Sequence, residues 1–297
     1  MVVSKNKIRR ADELWGTIFA GIPVLAMIVF TYVPIGFALV MSFMDVPYGI
    51  VENAKLLPIK EFFSNYTSVI KDEYFWKALL NNVILMLELP VSIAISVVIS
   101  ELLTKKLPGT KFFKVLLFVP YVCSVTATTF MWNWLLNSQY GIINRIFGLK
   151  DFNWFSPDHF IWSIMIMGVW STCGYRILLF TAALTNVNSS LKEAAELDGA
   201  NKLQIFFHVT LPAITPTIFY VVVMGSIGVL QAFTRIQVLD PSGQKCLTAV
   251  FYVYKEGIAG SAYGVACAAS VVLALIIAAL TKLNFAMSKK WVNYDVA

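Results

Sequence analysis

Between Lys192 and Pro212 the sequence reads KEAAELDGANKLQIFFHVTLP. It brings Glu193, Glu196, Asp198 and Gly199 into a chain that is otherwise mostly compatible with hydrocarbon. How this polar stretch divides the apolar blocks around it decides the fold. The chain has 297 residues, of which 58% are hydrophobic and 13% charged. That is far more apolar than the usual balance of a soluble domain. The hydrophobic residues gather into blocks, and the charges lie between them, which is the pattern of an integral membrane protein.

Working outward from the polar stretch, six blocks reach the roughly 20 residues that a membrane-crossing helix needs. They lie near Trp15 to Phe43, Phe75 to Leu103, Phe113 to Leu136, Ile161 to Leu184, Pro212 to Arg235 and Ala262 to Leu283. The blocks are continuously apolar, whereas the strands of a membrane barrel alternate over about 10 residues, so helices are expected. The first block is too long for the apolar region of a cleaved signal, and Val40-Met41-Ser42-Phe43 runs into Asp45 without a small-residue cleavage site. The expected fold class is therefore an all-α integral membrane protein of six transmembrane helices. Its organisation divides into residues 1–74 (tail, first helix and first external segment), 75–287 (a core of five helices) and 288–297 (a short tail).

Basic residues resist translocation and collect on the cytoplasmic side. Lys5, Lys7, Arg9 and Arg10 precede the first span, Lys105, Lys106, Lys111 and Lys114 separate the second and third, and Lys289 and Lys290 follow the sixth. Both termini are thus expected in the cytoplasm, and by parity so is the polar stretch between spans four and five. The net charge of +6 is accounted for by this asymmetry and by contact with anionic lipid, and it calls for no nucleic acid. Cys123, Cys173 and Cys267 fall within proposed spans and Cys246 lies alone outside them, so neither a disulfide framework nor a metal spacing is present. His159 and His208 form no ligand cluster.

The polar stretch reads as helix, break, helix. Ser190-Leu191-Lys192-Glu193 fits a capping box, in which the serine hydroxyl accepts from a backbone amide and the glutamate reaches back. Ala194, Ala195 and Leu197 favour helix, and Gly199 suits a left-handed stop. A second segment from Asn201 to His208 leads to Leu211-Pro212, where proline suits the first turn of span five. One function for such a stretch is an amphipathic helix in the headgroup layer, with Leu191, Ala194, Ala195, Leu197 and Ile205 to Phe207 toward lipid. The other is a docking helix for a cytoplasmic protein. Its acidic balance suits an anionic membrane surface poorly, and Ala194, Ala195 and Gly199 make a low-relief face for protein contact.

The series Glu193-Ala194-Ala195, Gly199, Val209, Leu211-Pro212 resembles the EAA motif of the membrane-spanning subunits of bacterial ABC importers, with valine where isoleucine is usual. The longer string EAAELDGANKLQIFFHVTLPAITPT is similar to the carbohydrate-uptake branch, of maltose and glycerol-phosphate permease type. Weaker likeness to the same subunits runs through PIGFALVMSF, NVILMLELPVSIAISVVIS, LLFVPYVCSVTATTFMWNWLLNSQYGIIN, GVWSTCGYRILLFTAAL and GSAYGVACAASVVLALI. Two departures stand out: Asn188 replaces a proline before the EAA helix, and LDPSGQ replaces a glycine-glycine-proline turn beyond span five.

The resemblance implies a permease subunit that forms half of a translocation path for a sugar or oligosaccharide in the bacterial cell membrane. It also implies three kinds of protein partner: a second homologous permease, a cytoplasmic ATPase dimer and an extracytoplasmic solute-binding protein. Glu193, Ala194, Ala195, Asp198, Gly199, Leu211 and Pro212 would dock on the ATPase. ATP and magnesium would belong to that partner, with no cofactor on this chain, which has no glycine-rich loop ending in Gly-Lys-Ser or Gly-Lys-Thr.

Polar groups at bilayer depth mark packing contacts or a watery path. Glu88, beside Pro90 midway along span two, and Arg176, near the cytoplasmic end of span four, are the sharpest cases. Glu88 serves either a substrate site or helix packing, and Arg176 either snorkels or pairs with a neighbouring acid. Candidates for the path are Glu88, Trp132, Asn133, Tyr175, Tyr220, Gln231 and Tyr263, with Trp134 and Trp170 offering further aromatic faces. The external segments Asp45 to Tyr74 and Asn137 to Phe160 suit surface helices, over which a binding protein would deliver substrate in such an importer. A non-sugar solute, a self-contained secondary transporter using Glu88 and Arg176, and a membrane enzyme are the other readings. No nucleophile constellation supports the last.

Overall fold

A computed structural model describes residues 5–47, 50–105 and 108–293, with side chains from residue 15 onward. Lys106, the side chains of the basic tail and the last four residues lie outside that description. The chain divides into two compact units, one made of Met1–Lys71 and Val253–Val272, the other of Asp72–Tyr252 and Leu273–Ala297.

In the first unit, α1 (Lys5–Met27), a π-helical turn (Ile28–Tyr32) and α2 (Val33–Met41) follow one another, and the stretch Trp15–Met41 is one long apolar run. From Trp15 onward its side chains are exposed nearly throughout, as suits a helix facing lipid or another chain. The segment that follows adds a short antiparallel ladder to an otherwise helical chain. β1 (Met44–Asp45) pairs antiparallel with β2 (Lys55–Leu56). Asn65 of α3 (Ser64–Lys71) donates to the carbonyls of Ser42 at 2.9 Å and Met44 at 3.0 Å and so holds the ladder in place. Phe43 stacks on Phe62 with centroids 4.5 Å apart. Gly264, in the first turn of α16 (Tyr263–Ser288), has no room for a Cβ beside the Met44 carbonyl.

The second unit contains the remaining helices. α4 (Glu73–Leu85) and α5 (Glu88–Thr104) make one span with a break at Met86-Leu87. Pro90 explains the break, since it cannot donate to the carbonyl four residues back. α5 lies close along α9 (Phe160–Thr185) because Ser92, Ser96 and Ser100, spaced by four, put one fully buried stripe of small residues between them. Ser96 donates to the Cys173 carbonyl at 3.4 Å and Ser100 to that of Ile177 at 3.0 Å. Gly174 on another face of α9 lets α6 (Thr110–Val122) approach until a Cβ would overlap the Leu117 carbonyl.

The third expected span is not straight. α6 and α7 (Val125–Leu135) meet at an angle of 101°. Cys123 and Ser124 are extended there, one turn after Pro120, so the helix ends where proline has already weakened it. Among the described residues, five runs are long and apolar enough to cross a membrane, or six if this bent pair is one span. α8 (Ile142–Phe147) is a short helix in the segment after it.

Span five also differs from expectation. A continuous helical stretch of α11 (Lys202–Ile205), a π turn (Phe206–Thr210) and α12 (Leu211–Ala213) carries Pro212, and the span begins at Thr215 with Pro216 in its first turn. α13 (Thr215–Leu230) then breaks before α14 (Thr234–Leu239). A broken helix within a span needs other partners for its backbone. Asn82 supplies one, donating to the Val229 carbonyl at 2.7 Å while its Oδ1 accepts from the amide of Ala249, the first residue of α15 (Ala249–Tyr254), at 2.8 Å. Thr248 supplies another by donating to the Ala232 carbonyl at 2.6 Å.

Beyond α14, the LDPSGQ turn is organised by the buried Asp240. Its carboxylate accepts from the Ser242 hydroxyl at 2.8 Å and from the amides of Lys245 at 2.7 Å and Cys246 at 3.3 Å. Burial, aided by the Asp240 charge, pushes the Cys246 thiol up to about 12.

Two outcomes follow. Asn82→Leu leaves the Ala249 amide without its Oδ1 partner, at about 1–3 kcal/mol for a buried group, and removes one of the donors to the Val229 carbonyl, which keeps the Ala232 amide at 3.1 Å; it should lower the thermal midpoint of the purified transporter. Because its folded value is raised, the Cys246 thiolate forms at a cost to the fold as pH rises from about 8.5, where an ordinary thiol ionises. Maleimide at that pH should therefore leave Cys246 unmodified in the folded protein and modify it after denaturation, as read by mass spectrometry.

Candidate functional site

A cavity of about 450 Å³ lies within the second unit, between α5, α9 and the broken α13–α14 helix. The breaks in both spans shape it. At the first, Glu88 falls in the opening turn of α5, where the helix dipole favours a carboxylate. At the second, the chain turns Gln231 and Arg235 to the same space.

Glu88 is only 5% exposed. Thr172 donates to its Oε1 at 3.3 Å, and Arg235 and Arg176 line the same cavity. Room for the carboxylate comes from Gly168, where a Cβ would run into Glu88 and lie 2.6 Å from Arg235 Nη1. Arg176 is equally buried and donates to the Ser92 hydroxyl, which itself donates to the Glu88 carbonyl at 2.6 Å. Arg176 is thus paired within the bundle. Aromatic residues line the cavity beside these charges: Tyr121 and Tyr175 stack 4.8 Å apart at 16°, and the hydroxyls of Tyr175 and Tyr220 share a 3.4 Å hydrogen bond.

Of the path residues expected from sequence, Glu88, Tyr175, Tyr220 and Gln231 line this cavity. Trp132 and Asn133 do not. Trp132 packs edge-on against Trp170 at 5.5 Å, with its buried Nε1 unpartnered among the described residues, and Asn133 is exposed. Tyr263 belongs to the other compact unit, as the first residue of α16. Arg235, Tyr121 and Thr172 line the cavity and were missed. Hydropathy places the end of span five at Arg235, whereas the span continues to Leu239.

The polar stretch forms α10 (Ser189–Leu197), a left-handed Gly199 with φ +80°, and then α11. The expected capping box at Ser190 and Glu193 does not form. Asn188 is the cap, accepting from the Ser190 amide at 3.0 Å, because its side chain reaches the first free amides before serine is needed. The capping box is one helix later: Asn201 Oδ1 accepts from the Gln204 amide at 2.9 Å, and Gln204 Oε1 from the Asn201 amide at 2.7 Å. A hollow of about 360 Å³ at the bend is lined by Ala195, Asp198, Gly199 and Gln204 among others. Glu193 and Ala194 are exposed nearby. Leu197 is 90% and Leu203 70% exposed. Leu211 packs against the buried cluster of Phe180, Leu184 and Ile214, and Pro212 beside it is half-buried.

Residues 3–289 match the family described as binding-protein-dependent transport system inner membrane component. The chain belongs to this family. It is an inner-membrane component that serves binding-protein-dependent transport. The chain is 27% identical to the probable ABC transporter permease protein YesP of Bacillus subtilis (strain 168), over 99% of this chain and 96% of that one. It is also 27% identical to the sn-glycerol-3-phosphate transport system permease protein UgpA of Yersinia enterocolitica, over 78% and 81%. Two solved structures share the fold. One is a bacterial ABC transporter involved in the import of the acidic polysaccharide alginate (TM-score 0.77, 20% identity, 97% of this chain and 99% of that one). The other is a bacterial alginate ABC transporter in complex with an alginate pentasaccharide-bound periplasmic protein (TM-score 0.80, 21% identity, 96% of each).

Proposed function

We propose that this family member is the permease subunit of an ATP-driven carbohydrate importer, non-catalytic itself and coupled to its ATPase through the α10–α11 elbow. The observation that carries the coupling role is the elbow's surface. It is a polar, doubly capped bend that nevertheless leaves Leu197 and Leu203 almost bare. Apolar side chains of that size on a charged segment suit burial by a partner.

In this reading both termini and the elbow are cytoplasmic, residues 1–74 are the tail, first helix and first external segment, 75–287 the five-helix core and 288–297 the cytoplasmic tail. Glu193 and Asp198 give polar contacts to the ATPase, and Ala194, Ala195 and Gly199 allow close approach. Leu211 and Pro212 root the elbow in the bundle. The ATPase dimer holds ATP and magnesium, a second homologous permease completes the path, and an extracytoplasmic binding protein delivers the solute. ATP binding draws the elbows together, and the bundle opens outward because the closed ATPase dimer binds that state better. The named relatives include a glycerol-phosphate permease, and the structural neighbours belong to a polysaccharide importer. These names and the aromatic, hydrogen-bonding cavity support a carbohydrate as solute.

The test combines Gly199→Val with Glu193→Ala. A β-branched residue at φ +80° strains the elbow and adds bulk to its contact face, and a loss of about 1.4 kcal/mol of contact is about tenfold in docking. Solute-stimulated ATPase and uptake in the reconstituted importer should fall by about that factor. Full coupling in the double variant would refute the docking role.

A further inference from the structure

The cavity holds more positive charge than negative. Among its lining residues the acidic and basic side chains are Glu88, Arg176 and Arg235, so one carboxyl group faces two guanidinium groups. The two arginines are not equivalent. Arg176 is buried and committed to Ser92. Arg235 is half-buried and its side chain makes no hydrogen bond among the described residues, although its Nη1 and the Glu88 carboxyl both lie against Gly168.

An arginine whose donors are unused is costly at this depth, and such groups persist where they meet a partner or a passing ion. Its planar fork matches a carboxylate or a phosphate oxygen pair. The rest of the lining suits what would be attached to that acid. Stacked Tyr121 and Tyr175 offer flat faces to a sugar ring, and the Tyr175 and Tyr220 hydroxyls offer hydrogen bonds to its hydroxyls. Glu88 serves a second purpose here. A site that transports must release its cargo, so binding has to be shallow, and a fixed carboxylate beside Arg235 partly offsets the attraction.

We infer that the transported saccharide carries an acid group, a carboxylate or a phosphate, and that Arg235 binds it in the cavity while Arg176 holds Glu88 and α5 in position. This rests on the carbohydrate-permease reading.

The experiment uses the complete importer with its binding protein in proteoliposomes. Uptake and ATPase stimulation are measured with galacturonate, digalacturonate, glucose 6-phosphate, maltose, cellobiose and xylobiose. An acidic probe should be carried, and the uronate and phosphate arms identify which acid. Arg235→Gln should cut its uptake about tenfold or more, the effect of losing a charged hydrogen bond. Arg235→Lys should retain most of it, with the importer assembled in both variants.

Transport of neutral probes alone overturns the inference and leaves the carbohydrate reading intact. An equal loss of neutral and acidic uptake, or dissociation of the complex in Arg235→Gln, also overturns it and makes Arg235 a packing residue. Stimulation by none of these saccharides overturns both readings.

Discussion

A helix that breaks inside a membrane must find other partners for the backbone groups it frees, because lipid offers none. In this chain Asn82 and Thr248 meet that requirement for the break between α13 and α14. With those two side chains in place, the chain turns at Gln231 and presents it and Arg235 to the cavity. Asn82 spans three elements at once, since its two side-chain atoms engage the end of α13 and the start of α15 from a position on α4. The cavity is a product of that one buried amide as much as of the residues that line it.

The bundle around the cavity is drawn close by small residues. The serine stripe of α5 and Gly174 of α9 bring backbones together where larger side chains would hold them apart. Gly168 uses the same device for a different end, leaving space for the Glu88 carboxylate and the Arg235 guanidinium to share. Packing and electrostatics are therefore coupled: the absent side chain at 168 sets how near opposite charges come.

Much of this was legible in the sequence, and the failures share a cause. The apolar blocks gave span positions close to those observed, because length and hydropathy are local properties. Pro90 beside Glu88 marked a real break. Gly199 marked the left-handed stop. What the sequence concealed depended on distant partners. No glycine or proline occupies positions 231–233, so nothing local announced the break that Asn82 and Thr248 sustain. Arg235 was accordingly mistaken for the edge of a span. Pro120 was visible, yet the 101° bend after it was not. In the polar stretch two cap signals stood in series, and Asn188 took the role that the pattern assigned to Ser190. Among the path candidates, residues near the breaks reached the cavity, while Trp132 and Asn133 on α7 were carried elsewhere by the bend before it.

The interlocked side chains of Asn201 and Gln204 have a consequence for how the elbow meets another protein. A loose connector would have to be frozen on contact, and that loss of freedom would be subtracted from the affinity. Here the joint is set within the chain, by two reciprocal hydrogen bonds and a left-handed glycine. A force applied to α10 is then passed to α11 as to a stiff crank rather than absorbed in a slack hinge.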